Sequence, residues 1–137
     1  MGEVRVKVKL SNSLDAMLAR TGRLAVDEVR TFEGDAMVDT GAVRCCIPES
    51  VRDQLGLELA TQASAVYADG RSEVVSVTDP FNIEILGRRE AETALVLGDE
   101  ILIGQTVLEK MDLLVDCPRQ RLITNPAHPQ GPVNKVK

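Results

Sequence analysis

Val4, Val6, Val8 and Leu10 alternate with Arg5, Lys7 and Lys9. A period of two held from residue 4 to residue 10 predicts a strand with one apolar and one wet face, so the chain must build a sheet around it. The supply of core residues points the same way. Aromatics make up only 2% of the chain, leaving Val, Leu, Ile and Ala to fill the interior, and a Val-rich mixture favours strands. At 137 residues there is enough chain for one domain with a real core and too little for two.

Further along, Val29 to Phe32 and Ala36 to Asp39 flank Glu33-Gly34-Asp35, whose turn chemistry predicts a hairpin. The segment from Ser11 to Glu28 is mixed. Leu14, Met17 and Leu18 suit a short helix and Thr21-Gly22 a turn, and the stretch reads as a loop or hairpin. Pro48, the face formed by Ile47, Val51 and Leu55, and the closing Gly56 predict a helix. Ala65 to Tyr67 and Val74 to Val77 are two arms around Asp69-Gly70-Arg71. Phe81 to Leu86 and Ala94 to Leu97 are short strands with Gly87-Arg88-Arg89-Glu90 between them. Ile101-Leu102-Ile103-Gly104 reads as a strand buried on both faces. Thr106 then caps a short helix through Met111. Leu113 to Val115 and Leu122-Ile123 bracket a last hairpin at Cys117-Pro118-Arg119. The expectation is a mainly β domain over residues 1–125 with one or two short helices, followed by a Pro-rich tail over 126–137 that holds no regular structure.

A net charge of -5 argues against nucleic acid, whose binding needs Lys and Arg to neutralise phosphates. No apolar run approaches the roughly 20 residues of a membrane span, and no basic-then-apolar signal segment opens the chain, so no membrane partner and a cytoplasmic location are expected. Three cysteines without CxxC spacing, and a single His128 in the tail, argue against zinc. Cys45 and Cys46 read as small packing groups, and His128 as solvated.

The chemistry concentrates at Asp39-Thr40-Gly41, which ends the apolar run Ala36-Met37-Val38 and occurs once. A carboxylate there sits at the mouth of a core, where its proton affinity can be tuned. A given triplet arises by chance with a probability on the order of a few per cent, so its context decides. Asp112 and Asp116, the other carboxylates near apolar segments, read as turn or capping residues.

Taken in order, Ala36 to Ala42, the Tyr67-Ala68-Asp69-Gly70-Arg71 hairpin, Ile101-Leu102-Ile103-Gly104, Leu108 to Leu113 and the closing Arg121 to Pro126 resemble the retropepsin-like aspartic proteases, the single-domain bacterial relatives of the retroviral enzymes. The resemblance runs from about Val29 to Asn125. It implies a closed β-barrel-like fold and a homodimer in which each subunit gives one Asp39 to a shared dyad. It also implies a peptide or unfolded-protein substrate, with no cofactor and no metal. Thr40 would bond the opposing loop, Gly41 would let backbone approach the dyad, and Ala42 would line the first substrate pocket. Tyr67, Ala68, Asp69 and Gly70 would form a flap, with Tyr67 alternatively a core residue, and Ile103-Gly104 would support the active loop. One triplet in one domain asks for a second copy independently, because the reaction needs two carboxylates.

Three departures from the family pattern stand out. Gln105 follows Gly104 where the viral enzymes carry an arginine. Val43 replaces a hydroxyl residue common after Asp-Thr-Gly-Ala in bacterial relatives, and Ser11 to Glu28 is an insertion. These leave a second reading open, a protease-fold peptide-binding or dimerisation module with little or no turnover.

Overall fold

The computed structural model describes residues 3–136. In chain order the elements are β1 (Val4–Asn12), α1 (Ser13–Arg20), a single 3-10 turn (Val26–Glu28), β2 (Thr31–Val38), β3 (Cys46–Ile47), α2 (Glu49–Leu55), β4 (Leu59–Val66), β5 (Ser72–Thr78), β6 (Phe81–Ile85), β7 (Arg88–Glu92), β8 (Leu95–Val96), β9 (Ile101–Ile103), α3 (Gln105–Met111), β10 (Leu113–Asp116) and β11 (Arg121–Thr124). The first nine strands form one sheet, ordered β4-β5-β8-β3-β9-β2-β1-β6-β7, that curls into a half-barrel consistent with an aspartic protease fold. β10 and β11 pair separately as a hairpin. Among the described residues no helix is long and apolar enough to cross a membrane.

The alternation in β1 does what a period of two requires. Val6, Val8 and Leu10 are buried while Arg5, Lys7 and Lys9 face solvent. The same register carries into β2, where Val6 pairs with Ala36, Val8 with Gly34 and Leu10 with Phe32. The buried face, with Ile47, Leu55, Phe81, Ile83, Ile103 and Met111, makes one continuous core.

The expected hairpin at Glu33-Gly34-Asp35 is absent, because β2 runs straight through it. Gly34 is a packing glycine: a Cβ there would lie 2.9 Å from the Phe32 ring, which occupies that space. The loop or hairpin expected over Ser11 to Glu28 is instead α1 and the 3-10 turn. Asn12 caps α1 by accepting from the Asp15 amide at 3.0 Å. The turn expected at residues 87–90 tightens to Leu86-Gly87, both at positive φ, and Arg88 to Glu92 become a strand. Thr106 does not cap α3. Gly104 takes that position, and the Thr106 hydroxyl is buried without a partner among the described residues. α2 follows its sequence signals, ending on Gly56 at φ 63.

Three polar clusters tie the elements together. Asp15, only 5% exposed, accepts from the Arg30 amide at 3.1 Å and from its guanidinium at 2.8 and 3.1 Å. That guanidinium lies over Gly56, where a Cβ would come within 1.8 Å of it. On the far side, Arg88 donates to the Met111 and Asp112 carbonyls at 2.8 Å, closing the C-terminal end of α3. The segment after β11 holds no helix or strand, yet it is not loose. Asn125 donates to Asp112 Oδ1 at 3.0 Å and His128, expected in solvent, pairs with Asp112 Oδ2. Asp112, at φ 54, ends α3 in the left-handed conformation, so the capping role read for it is realised.

The Arg30 contacts hold the Asp15 carboxyl below its ordinary value of 3.8, with hydrogen bonds from the guanidinium the largest cause. A depressed folded value stabilises the fold above the ordinary value and is lost as pH falls through the folded one. Arg30→Ala should therefore lower stability by about 1–3 kcal/mol at neutral pH. The gap between variant and wild type should narrow as the medium is taken below pH 3.8, measured by thermal melts across an acid series. A gap independent of pH would refute this account of the cluster.

Candidate active site

β2 delivers Asp39 to the end of the sheet. Val38 pairs in parallel with Ile103 of β9, and the ladder runs one step further, with the Asp39 amide donating to the Ile103 carbonyl at 2.9 Å. Beyond that point the chain turns away and closes on itself. The Gly41 amide donates to Asp39 Oδ1 at 3.0 Å and the Ala42 amide to the Asp39 carbonyl at 3.1 Å. A Cβ on Gly41 would crowd the same carboxylate oxygen at 3.3 Å, so glycine keeps that side of Asp39 open.

The first turn of α3 braces the loop from behind. The amides of Gln105 and Thr106 donate to the carbonyls of Ala42 and Val43 at 2.9 and 3.0 Å. The Gln105 side chain donates to the Thr40 carbonyl at 2.6 Å. This needs a very close approach at Gly104, where a Cβ would lie 2.6 Å from the Arg44 carbonyl oxygen and 2.9 Å from that of Ala42. Ile103, fully buried, anchors the strand that leads into this contact.

Asp39 and Thr40 line a cavity of about 350 Å³ whose other walls include Val4, Met37 and, from the β10–β11 hairpin, Val115 and Cys117. Sequence reasoning missed the contribution of that hairpin, and nothing local in Cys117 or Val115 signals it. Gln105 was visible only as a departure from a pattern, and the structure makes it a brace of the loop. Cys46, read as packing, is buried and lies within electrostatic reach of Asp39. Burial pushes its thiol up and the Asp39 charge adds in the same direction. Cys45 is wholly enclosed and its thiol is pushed up chiefly by burial.

Tyr67, Ala68, Asp69 and Gly70 form the turn between β4 and β5. The Gly70 amide bonds the Tyr67 carbonyl at 2.9 Å and the Tyr67 amide bonds the Arg71 carbonyl at 2.8 Å. Gly70 sits at φ 87, a conformation that asks for glycine in a three-residue hairpin turn. The tip is held by its own side chains. Arg71 pairs with Asp69 at 2.6 Å and lies 5.1 Å from the centre of the Tyr67 ring, while the Tyr67 hydroxyl bonds Glu73. The Arg71 amide and then its guanidinium hold the Asp69 carboxyl low. None of these hydrogen bonds and ion pairs involves a residue of the Asp39 loop. Among the described residues no group of three or more His, Cys, Asp or Glu could hold a metal ion.

Gly104→Ala should push the loop off α3, because the atoms in the way are backbone. The expected cost is about 1–3 kcal/mol in chemical denaturation, together with faster amide exchange confined to residues 39–43 and the first turn of α3. Unchanged exchange there would show that the close approach does not hold the loop.

A family model described as aspartyl protease matches residues 23–116, a span that contains Asp39, the β4–β5 hairpin, Gly104 and α3. No curated protein matches the chain. With the match covering more than half its length, and with a mainly β half-barrel that presents one Asp-Thr-Gly loop at the end of an inner strand, the chain belongs to the retropepsin-like aspartyl protease family.

Proposed function

We propose that the protein is an aspartic endopeptidase that acts as a homodimer, with Asp39 of each subunit forming the catalytic dyad. The observation that carries this reading is a single Asp-Thr-Gly loop, braced by α3 and set at the rim of a cavity, in a chain of the aspartyl protease family. One carboxylate cannot serve as acid and base together, and a two-fold axis supplies the second from an identical loop.

Two carboxyls in contact cannot both ionise, so they share one proton, as in aspartic proteases generally. The charged Asp39 takes a proton from a water lying between the pair while that water attacks the peptide carbonyl. The protonated Asp39 donates to the carbonyl oxygen, and the roles reverse as the amine leaves. Thr40 is exposed and its carbonyl already engaged by Gln105, which leaves its hydroxyl to bond the opposing loop. Gly41 keeps space beside the dyad, and Ala42 lines the first side-chain pocket. Ile103 and Gly104 hold the loop to the body. The turn from Tyr67 to Gly70 acts as a flap that closes over an extended peptide and excludes water.

Asp39→Asn should leave the fold intact and reduce cleavage of an unfolded protein by at least about 10²–10⁴-fold, the range expected for loss of a general acid–base group. Peptide fragments by mass spectrometry and subunit mass by sedimentation read the two halves of the proposal. Undiminished cleavage by the variant would refute the dyad. Complex formation without fragments from wild type would favour a binding module instead.

A further inference from the structure

The nine-stranded sheet has two edges, and the chain treats them differently. At one edge, β7 carries charge at Arg88, Arg89, Glu90 and Glu92, and Lys110 of α3 donates to its Ala91 carbonyl at 2.9 Å. Charge and a covering helix are the usual guards against unwanted strand pairing. At the other edge, β4 has neither. From Leu59 to Ala68 there is no charged residue, no proline and no glycine. Among the described residues β4 pairs only with β5.

The hydrogen-bond pattern says which groups are left unpaired. The Tyr67 amide bonds the Arg71 carbonyl, so the bonded pairs continue at Ala65 with Glu73, Ala63 with Val75 and Thr61 with Val77. The N–H and C=O groups of Gln62, Ser64 and Val66 therefore point away from β5 along the open edge. The register is regular here, its one irregularity lying back between Leu59 and Thr61. Val66 and Val74, 74% and 66% exposed, sit diagonally on the outer face next to this edge.

We infer that the β4 edge is an interface that takes the β4 strand of a second copy of this chain, in antiparallel two-fold pairing centred on Ser64. Self-pairing in that register sets Gln62 of one copy opposite Val66 of the other, so every outward backbone group meets its complement. A chain with a net charge of -5 repels its copies over most of its surface, and this neutral strand is where two copies approach without like charges face to face. In the sheet order β5, β8, β3 and β9 lie between β4 and β2, so the pairing strand is a different one from the strand that carries Asp39.

Ser64→Pro tests it, because the proline removes an N–H that faces the open edge and none that bonds β5. Gln62→Lys with Val66→Lys in one chain is the companion variant, adding charge on exposed side chains should the proline disturb the hairpin. Sedimentation equilibrium over a concentration series should show wild type reaching at least twice the mass of either variant, with circular dichroism unchanged. If the Asp39 loops also pair, each such dimer still presents two β4 edges, so the variants stop at two chains and wild type grows to four or more. If those loops do not pair, the variants are single chains and wild type is a pair, so the two contacts are read separately. Equal masses for wild type and both variants at every concentration would overturn the inference. So would wild type that binds a synthetic uncharged extended peptide at this edge without associating with itself.

Discussion

The structure turns on a contact too close for any side chain, the approach of Gly104 to the carbonyls of Ala42 and Arg44. An α-helix begins with amides that have no partner inside it, and a side chain just before the helix usually supplies one. α3 has no such side-chain cap. Its first amides are satisfied by the carbonyls of the Asp39 loop, so the loop caps the helix and the helix holds the loop. Each satisfies groups the other would leave bare, and the arrangement is possible only because residue 104 has no Cβ.

The remaining buried polar groups follow the same logic of mutual satisfaction. Arg88, nearly buried, closes the carbonyl end of α3 and reaches the His128 carbonyl, so the polar tail is drawn against the body. Arg30 joins the buried Asp15 to the turn after α2, and it lies so near Gly56 that the glycine answers both a positive φ and a close approach. α1, which precedes the matched family span, is in this way fixed to the sheet.

The loop and the β4–β5 turn are built on opposite plans. The loop borrows its rigidity from β9 and α3, whereas the turn from Tyr67 to Arg71 is ordered by hydrogen bonds and charges within itself. The turn thus keeps its shape through its own contacts, without hydrogen bonds to the Asp39 loop.

Short-range sterics explain what the sequence by itself determined: the two faces of β1, the limits of α2 between Pro48 and Gly56, the Asp69-Gly70 turn and the solitary Asp39-Thr40-Gly41. Each depends on residues a few positions apart, so each is written locally. Only the tertiary structure decided that Gly34 sits inside a strand, that Leu14, Met17 and Leu18 belong to a helix, and that Gly104 replaces Thr106 at the start of α3. It alone brought Val115 and Cys117 beside Asp39. A glycine that makes room for the Phe32 ring or for a distant carbonyl looks, in one dimension, the same as a glycine that makes a turn. The difference lies in what stands across from it, and that is set by the packing of segments far apart in the chain.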